Sequence, residues 1–428
     1  MRTLRAGKGN FERFFSKIEG RAGEVPASIE RLVKEIIRAV RLRGDAALFE
    51  YTGKFDRLEL TPSTMRVTEA EITAAFAAVP KEDVDALRLA AGRIADFHSR
   101  QKQESWFFHD VSGAFLGQRV LPLSTVGIYV PGGKASYPSS VLMNAVPAKV
   151  AGVEKIIMTV PAPGGNLNPG VLVAAALAGV DEIYKIGGAQ AVAALAYGTQ
   201  SVPKVDKIVG PGNIYVATAK RLVFGAVDID MVAGPSEILV VADRTANPEF
   251  VAADMLSQAE HDEMASAVLV TDDPKLAAKV KKELDRQVEL LDRRDIAKKS
   301  LADFGAVIIV DSLVAAADIA NRIAPEHLEL AVDRPFDLLP HIKNAGAIFM
   351  GHYTPEAVGD YVAGPNHVLP TGGTARFFSP LSTDDFVKKS SLLCYTKEAL
   401  ASVAPAILRL TKMEGLDAHG KMVEVRLK

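Results

Sequence analysis

Short aliphatic runs that alternate with helical stretches leave a chain few ways to fold, and this sequence contains two such series. Val126-Gly127-Ile128-Tyr129-Val130 reads as a buried strand, followed by a Pro131-Gly132-Gly133 turn and an apolar helix over residues 139–150. Strands at 155–160, 182–186 and 207–209 then alternate with helices at 168–177, 189–196 and 213–223. Parallel strands need a long crossover, which a helix supplies, so this spacing implies βαβ units and a parallel sheet. The second series places strands at 237–241, 267–271, 305–310 and 345–350. Its helices lie at 248–260, along the Leu276, Val280, Leu284, Val288 stripe, and at 313–323. The expected fold class is α/β, with two Rossmann-like parallel-sheet domains, one inserted in the other.

The flanking segments fill in the domain plan. Residues 26–128 open with one wide apolar helical face made by Ile29, Leu32, Val33, Ile36, Ile37 and Val40. They are assigned with 237–382 to a main domain, leaving 129–236 as the insertion. Residues 1–25 read as an arm whose Phe11, Phe14, Phe15 and Ile18 dock an apolar stripe, with 20–26 as its link. Trp106, Phe107 and Phe108 fall in a loop-rich segment and are read as packing residues. The tail, 383–428, is helical over 397–410 and strand-like over 422–427. It is too short to hold a core of its own and must dock, on its own chain or on a partner's.

Composition excludes several function classes. Fifty basic and 52 acidic residues leave a net charge of -2, which gives no nucleic-acid footprint. No apolar run approaches the roughly 18 residues that span a bilayer, and Met1-Arg2-Thr3-Leu4-Arg5 is not followed by a signal core. A single cysteine, Cys394, rules out an internal disulfide framework and cysteine-based zinc sites. Lying in Leu392-Leu393-Cys394-Tyr395, it is expected to be a buried structural thiol. The expected compartment is the cytoplasm.

Three motif lookalikes fail on inspection. Gly132-Gly133-Lys134 lacks the glycine of a phosphate loop at Ile128 and its hydroxyl at Ala135. Gly210-Pro211-Gly212-Asn213 follows a strand and opens a helix, but Tyr215 stands where the dinucleotide fingerprint needs its third glycine. Phosphate can still be received at such a helix start. Gly234-Pro235-Ser236-Glu237 has Ile238 in place of the second glycine of a nucleophile elbow, which disfavours a serine hydrolase.

More informative is Ala324-Pro325-Glu326-His327-Leu328, a carboxylate and an imidazole where Pro325 should end the preceding helix. Neighbouring side chains diverge on regular helices and strands, so the two can serve one substrate only on irregular backbone. His titrates near neutrality and a partly buried Glu can be raised toward it, as an acid/base pair requires. A solvated helix start is the plain alternative. Gln258 and His261 lie three apart near a predicted helix end and share a face able to reach one ion. Asp360 and His367 follow the strand at 345–350, and loops after parallel strands are where α/β sites assemble. Glu414 and His419 are in the tail.

These motifs, in this order, resemble those of the histidinol dehydrogenase family over nearly the whole chain. The most specific is Ile229-Asp230-Met231-Val232-Ala233-Gly234-Pro235-Ser236-Glu237, supported by Leu256-Ser257-Gln258-Ala259-Glu260-His261-Asp262, Gly364-Pro365-Asn366-His367 and Glu414 to His419. Val232, where the family pattern has proline, is a departure that changes loop stiffness but no functional group.

The resemblance implies one Zn²⁺ per subunit held by Gln258, His261, Asp360 and His419. It also implies NAD contacts from Tyr129, Gln190 and Asn213. Ser236, His327, His367 and Glu414 join the metal ligands around the substrate. Tyr129 packing at a strand end and Asn213 capping its helix are the plain alternatives. Two successive oxidations would take L-histidinol to the aldehyde and then to L-histidine, with His327 as the alcohol's base and Glu326 as activator of the hydrating water. A lone cysteine outside every motif favours hydration over a thiohemiacetal. The family further implies a domain-swapped homodimer in which Glu414 and His419 complete the partner's site. A zinc hydrolase using Glu326-activated water is the rival reading, and a non-catalytic metal scaffold the third.

Overall fold

Alternate residues of each aliphatic run point to opposite sides of a strand, and here both sides are buried. The computed structural model describes residues 1–5, 9–22, 25–132 and 137–428. The Gly133-Lys134 part of the rejected phosphate loop, and part of the 20–26 link, lie outside them. The strands are β1 (Arg2–Arg5), β2 (Trp106–His109), β3 (Phe115–Pro122), β4 (Thr125–Tyr129), β5 (Lys155–Thr159), β6 (Glu182–Tyr184) and β7 (Lys207–Val209). They continue as β8 (Asp228–Ile229), β9 (Glu237–Ala242), β10 (Ser266–Thr271), β11 (Ala306–Ile309), β12 (His327–Ala331), β13 (Ala347–Met350) and β14 (Val387–Cys394).

Two parallel sheets result, ordered β6-β5-β4-β7-β8 and β1-β11-β10-β9-β12-β13. On β5 of the first, Ile156 and Met158 enter one core and Ile157 the other. Helices therefore cover both faces. The predicted helix starting at Pro248 runs to Ala259, and Asn247 accepts from the Glu249 N–H at 2.9 Å as its cap. Leu276, Val280, Leu284 and Val288 are buried together, as their spacing predicts.

Several expectations need correction. Residues 26–128 do not join the six-stranded sheet. Val33, Ile36, Ile37 and Val40 pack with Ile157 and Ile208, while Ala75, Val84, Ala90 and Ile94 pack with Ile156 and Met158, all on the five-stranded sheet. Helical periodicity shows that a face is apolar, not which sheet receives it. The 1–25 arm docks its apolar stripe as expected, and its β1 also joins the six-stranded sheet. Leu4 of β1 and Phe11, Phe14, Phe15 and Ile18 of helix Gly9–Glu19 share a core with Leu239, Val268 and Leu328, and β1 pairs with β11.

Trp106, Phe107 and Phe108 are not core residues. They lie on β2, at the edge of a small antiparallel sheet ordered β14-β3-β2, and are 53%, 63% and 50% exposed. Residues 422–427 belong to helix Asp417–Leu427, not a strand. Gly420 lets that helix approach Thr411 and Leu408 of helix Lys397–Glu414, an antiparallel contact that short period-two patterning does not reveal. Cys394 also departs from expectation, since it is exposed at the end of β14. No described helix is long and apolar enough to cross a membrane.

Candidate active site

A cleft of about 330 Å³ runs between the two large sheets. From the five-stranded sheet come residues after strand ends, namely Pro131 after β4, Gly210 after β7 and Asp230 after β8. From the six-stranded sheet, Ser236 lies just before β9 and Glu326 just before β12, while His327 begins β12. The carboxyl edge of one sheet thus faces the amino edge of the other. Of the residues expected after a strand of the second sheet, Asp360 and His367 both line the cleft, Asp360 carried back to it on helix Glu356–Tyr361 rather than on a loop.

The helix Leu313–Ile323 ends as predicted. Ala324 turns into the left-handed region at φ 51°, and Pro325 prevents continuation. Glu326 is therefore off the regular strand while His327 is its first residue, and one residue of neighbouring β9 holds both. The Glu237 N–H donates to Glu326 Oε2 at 3.0 Å, and His327 Nδ1–H donates to the Glu237 carbonyl at 3.0 Å. Glu237 is itself buried in an ion pair with Arg21. With Nδ1 donating, the lone pair of His327 is on Nε2. That nitrogen is buried without a hydrogen-bond partner, 3.8 Å from Glu356 Oε1 and 3.9 Å from Asp360 Oδ1.

Electrostatics sorts the groups. Burial raises the Glu326 carboxyl well above its ordinary range, and nearby Glu237, Glu356 and Asp360 add to the rise against the Glu237 N–H bond. Burial lowers the His327 imidazole, which keeps it neutral with its Nε2 lone pair unprotonated. The carboxyls of Glu356 and Asp360 are pushed to about 7, chiefly by burial, and Glu356 raises Asp360 further. His367 donates from Nδ1 to the Asp360 carbonyl at 3.0 Å, and burial lowers it to about 4.

Three of the four expected metal ligands, Gln258, His261 and Asp360, line the cleft. They fit a dication. Gln258 Oε1 is buried without a partner, His261 is lowered by the protein packed around it although it stands at the exposed rim, and the Asp360 carboxylate is crowded by Glu356. Single donor atoms of His327, Glu356 and Asp360 lie within 4.8 Å of one another. Glu356 was absent from the sequence reading, because nothing in Thr354-Pro355-Glu356 distinguishes it from an exposed helix start. Ser236 and His367 also line the cleft.

Glu414 and His419 do not line the cleft within the single chain. Both are exposed in the tail helices. Tyr129 and Gln190 lie beside the cleft at the carboxyl edge of the five-stranded sheet. The buried Tyr129 hydroxyl accepts from the Gly188 N–H at 3.0 Å, and burial pushes its pKa to about 12. Gln190 Oε1 is buried without a partner. Asn213 caps helix Ile214–Val223, accepting from Tyr215 and Val216 N–H groups at 3.0 and 3.2 Å, so its carbonyl is committed while its amide nitrogen is free to donate. The preceding turn is fixed from below. Gly210 has φ 108° and leaves no room for a Cβ against the Tyr129 carbonyl, while its N–H donates to Asp230 Oδ2 at 2.8 Å and its carbonyl accepts from Lys220 Nζ at 2.8 Å. Val232 is 42% exposed and does not line the cleft.

The sequence pattern of the family described as "Histidinol dehydrogenase" matches residues 20–427. The histidinol dehydrogenase of Syntrophotalea carbinolica is 60% identical over 428 residues, covering 100% of this chain and 99% of its own. That of Geobacter sulfurreducens is 59% identical over 429 residues, covering 100% of both. The crystal structure of histidinol dehydrogenase from Elizabethkingia anophelis superposes with a TM-score of 0.94 at 39% identity, covering 100% of this chain and 98% of that one.

Proposed function

Since the chain belongs to the histidinol dehydrogenase family, we propose that it is the NAD- and zinc-dependent oxidoreductase that converts L-histidinol through L-histidinal to L-histidine in the cytoplasm. The observation that carries the mechanism is the shared grip of Glu237 on Glu326 and His327. It presents an imidazole lone pair and a carboxyl group of raised proton affinity to the same cleft.

Gln258, His261 and Asp360 would hold the zinc, with His419 as the fourth ligand. When bound, zinc would anchor and orient the substrate, and Tyr129, Gln190 and Asn213 would hold the NAD⁺ that supplies the hydride acceptor. An alcohol carbon can give up hydride to become a carbonyl only as its hydroxyl proton leaves. His327 Nε2, neutral because it is buried, takes that proton. The aldehyde then needs water before a second oxidation. Glu326, once ionised, is a stronger base than an ordinary carboxylate and accepts the proton from that water. Ser236 and His367 bind substrate from the cleft wall.

The proposed functional unit is a homodimer with swapped tails. The tail helices pack on one another and leave Leu410, Met413, Met422 and Val425 exposed, an apolar surface that supports docking against a second chain. Glu414 would then meet the substrate and His419 the metal in the partner's cleft. No observation favours the hydrolase reading, and the sole thiol, Cys394, does not line the cleft. Absorbance of reduced nicotinamide on mixing protein, zinc, L-histidinol and NAD⁺ tests the function. Two equivalents of reduced cofactor per histidinol are expected; turnover of an ester or amide without cofactor would refute the assignment.

A further inference from the structure

An amide side chain can offer a cation its oxygen or turn its NH₂ end toward it, and only the first gives a ligand. Glu356 sits directly behind Gln258. It is 3% exposed and opens helix Glu356–Tyr361. Its Oε1 receives the Nε2–H of Gln258, its Oε2 receives the Ser257 hydroxyl at 3.1 Å, and its own N–H donates to Glu329 Oε1 at 3.1 Å. Both Glu356 oxygens thus accept, and an accepting carboxyl oxygen is matched by the NH₂ end of an amide, not by its oxygen. The NH₂ end of Gln258 must therefore face Glu356, leaving Oε1, buried and unpartnered, at the other end of the amide.

We propose that Glu356 is a positioning residue that locks the Gln258 amide with its oxygen toward the metal. The inference rests on the reading of Gln258 as a metal ligand. Glu356 acts through Gln258 and gives the metal no bond of its own. Second-layer partners of this kind commonly govern affinity by holding a ligand's orientation. Because Glu356 Oε1 also lies within 4.8 Å of donors on His327 and Asp360, direct ligation is the competing arrangement, and the experiment must separate the two.

Zinc is removed by a chelator, and Zn²⁺ affinity is measured by competition with a chromophoric chelator. Co²⁺ absorption reports the ligand field. Glu356→Gln is nearly isosteric, but its amide can donate to Gln258 Oε1 and stabilise the wrong orientation. Zinc affinity is expected to fall roughly 10- to 100-fold, with shifted cobalt bands. In a Gln258→Ala background the same change should cost less than about 3-fold, since there is no amide left to orient. Ser257→Ala, which frees one Glu356 oxygen without touching the buried carboxylate, should lose about 2- to 10-fold and reads the same linkage should Glu356→Gln fold poorly. Unchanged affinity in Glu356→Gln and Ser257→Ala overturns the proposal. Equal losses from Glu356→Gln in both backgrounds overturn it in favour of direct ligation. If Gln258→Ala itself binds zinc like the parent, the ligand reading has failed, and the positioning role falls with it.

Discussion

Arg21→Met tests how far the catalytic pair depends on a segment remote from it in sequence. The Arg21 and Glu237 side chains are only 2% and 4% exposed, and Arg21 Nη1 also donates to the Met264 carbonyl at 2.8 Å. Removing one member of a buried ion pair strands the other charge, at about 3–5 kcal/mol. That is a large share of the roughly 5–15 kcal/mol by which a typical domain is stable. The sign of the pH dependence follows from Glu237. Burial keeps its carboxyl raised even with Arg21 beside it, so without Arg21 it should hold a proton to higher pH still. An acid whose folded-state pKa exceeds its unfolded value, about 4.3 for Glu, contributes stability at low pH that is lost as pH rises through the folded pKa. The deficit of the variant should therefore be smaller at about pH 5 than at about pH 8. Urea midpoints at both pH values, with unchanged slopes, measure it. Arg21→Met with Glu237→Gln should recover most of the loss, because both charges are then gone. Turnover in Arg21→Met should fall for both oxidations, since Glu237 holds both Glu326 and His327. A loss below about 1 kcal/mol at pH 8, a deficit that shrinks as pH rises, or a double variant no better than the single one would refute the reasoning.

Glu326→Gln should impair oxidation of histidinal by about 10²- to 10⁴-fold and the reverse reduction of histidinal to histidinol far less; equal losses in the two assays would remove its role in hydration. His261→Ala should lose zinc together with activity, and full occupancy by elemental analysis would refute its ligation. Zinc affinity of the parent should fall as pH drops below about 7, where Asp360 takes up a proton in the metal-free protein; a flat titration between pH 8 and 6 would show that Asp360 is not displaced from a proton by the metal. Mixing His419→Ala and Asp360→Ala chains should restore one intact site per heterodimer, whereas no recovery after verified subunit exchange would place the tail in its own chain's site.

Much of this architecture was legible in the sequence because local patterns are local physics. The strand and helix alternation, the Asn247 cap and the break at Pro325 follow from residues within a few positions of one another. Gln258 and His261 both line the cleft, although the helix ends at Ala259 and His261 lies in the turn that follows. Less legible was anything set by remote packing. Ile36 carries the same apolar signal whichever sheet it meets, so residues 26–128 were assigned to the wrong one. The opposed sheet edges at the cleft depend on how two domains face each other, which no run of residues encodes. Glu356 is invisible until the fold buries it behind Gln258, and Cys394 looked buried because its neighbours are apolar although β14 leaves it exposed. The zinc, NAD and tail assignments came from the resemblance, since spacing alone does not join Asp360 to His419.

The pairing of β1 with β11 imposes an order on biogenesis. Arg2 lies opposite Ala306 and Leu4 opposite Ile308, so β1 has no strand to pair with until the ribosome has delivered β11, some 300 residues further on. The strands and helices of the five-stranded sheet lie between them in sequence and can assemble as soon as they emerge. Until then Leu4 of β1 and the phenylalanines of helix Gly9–Glu19 lack the apolar partners they bury against in the folded chain. Arg21 follows directly behind them, and its partner Glu237 begins β9, so the ion pair beneath Glu326 and His327 can close only once that strand has been made.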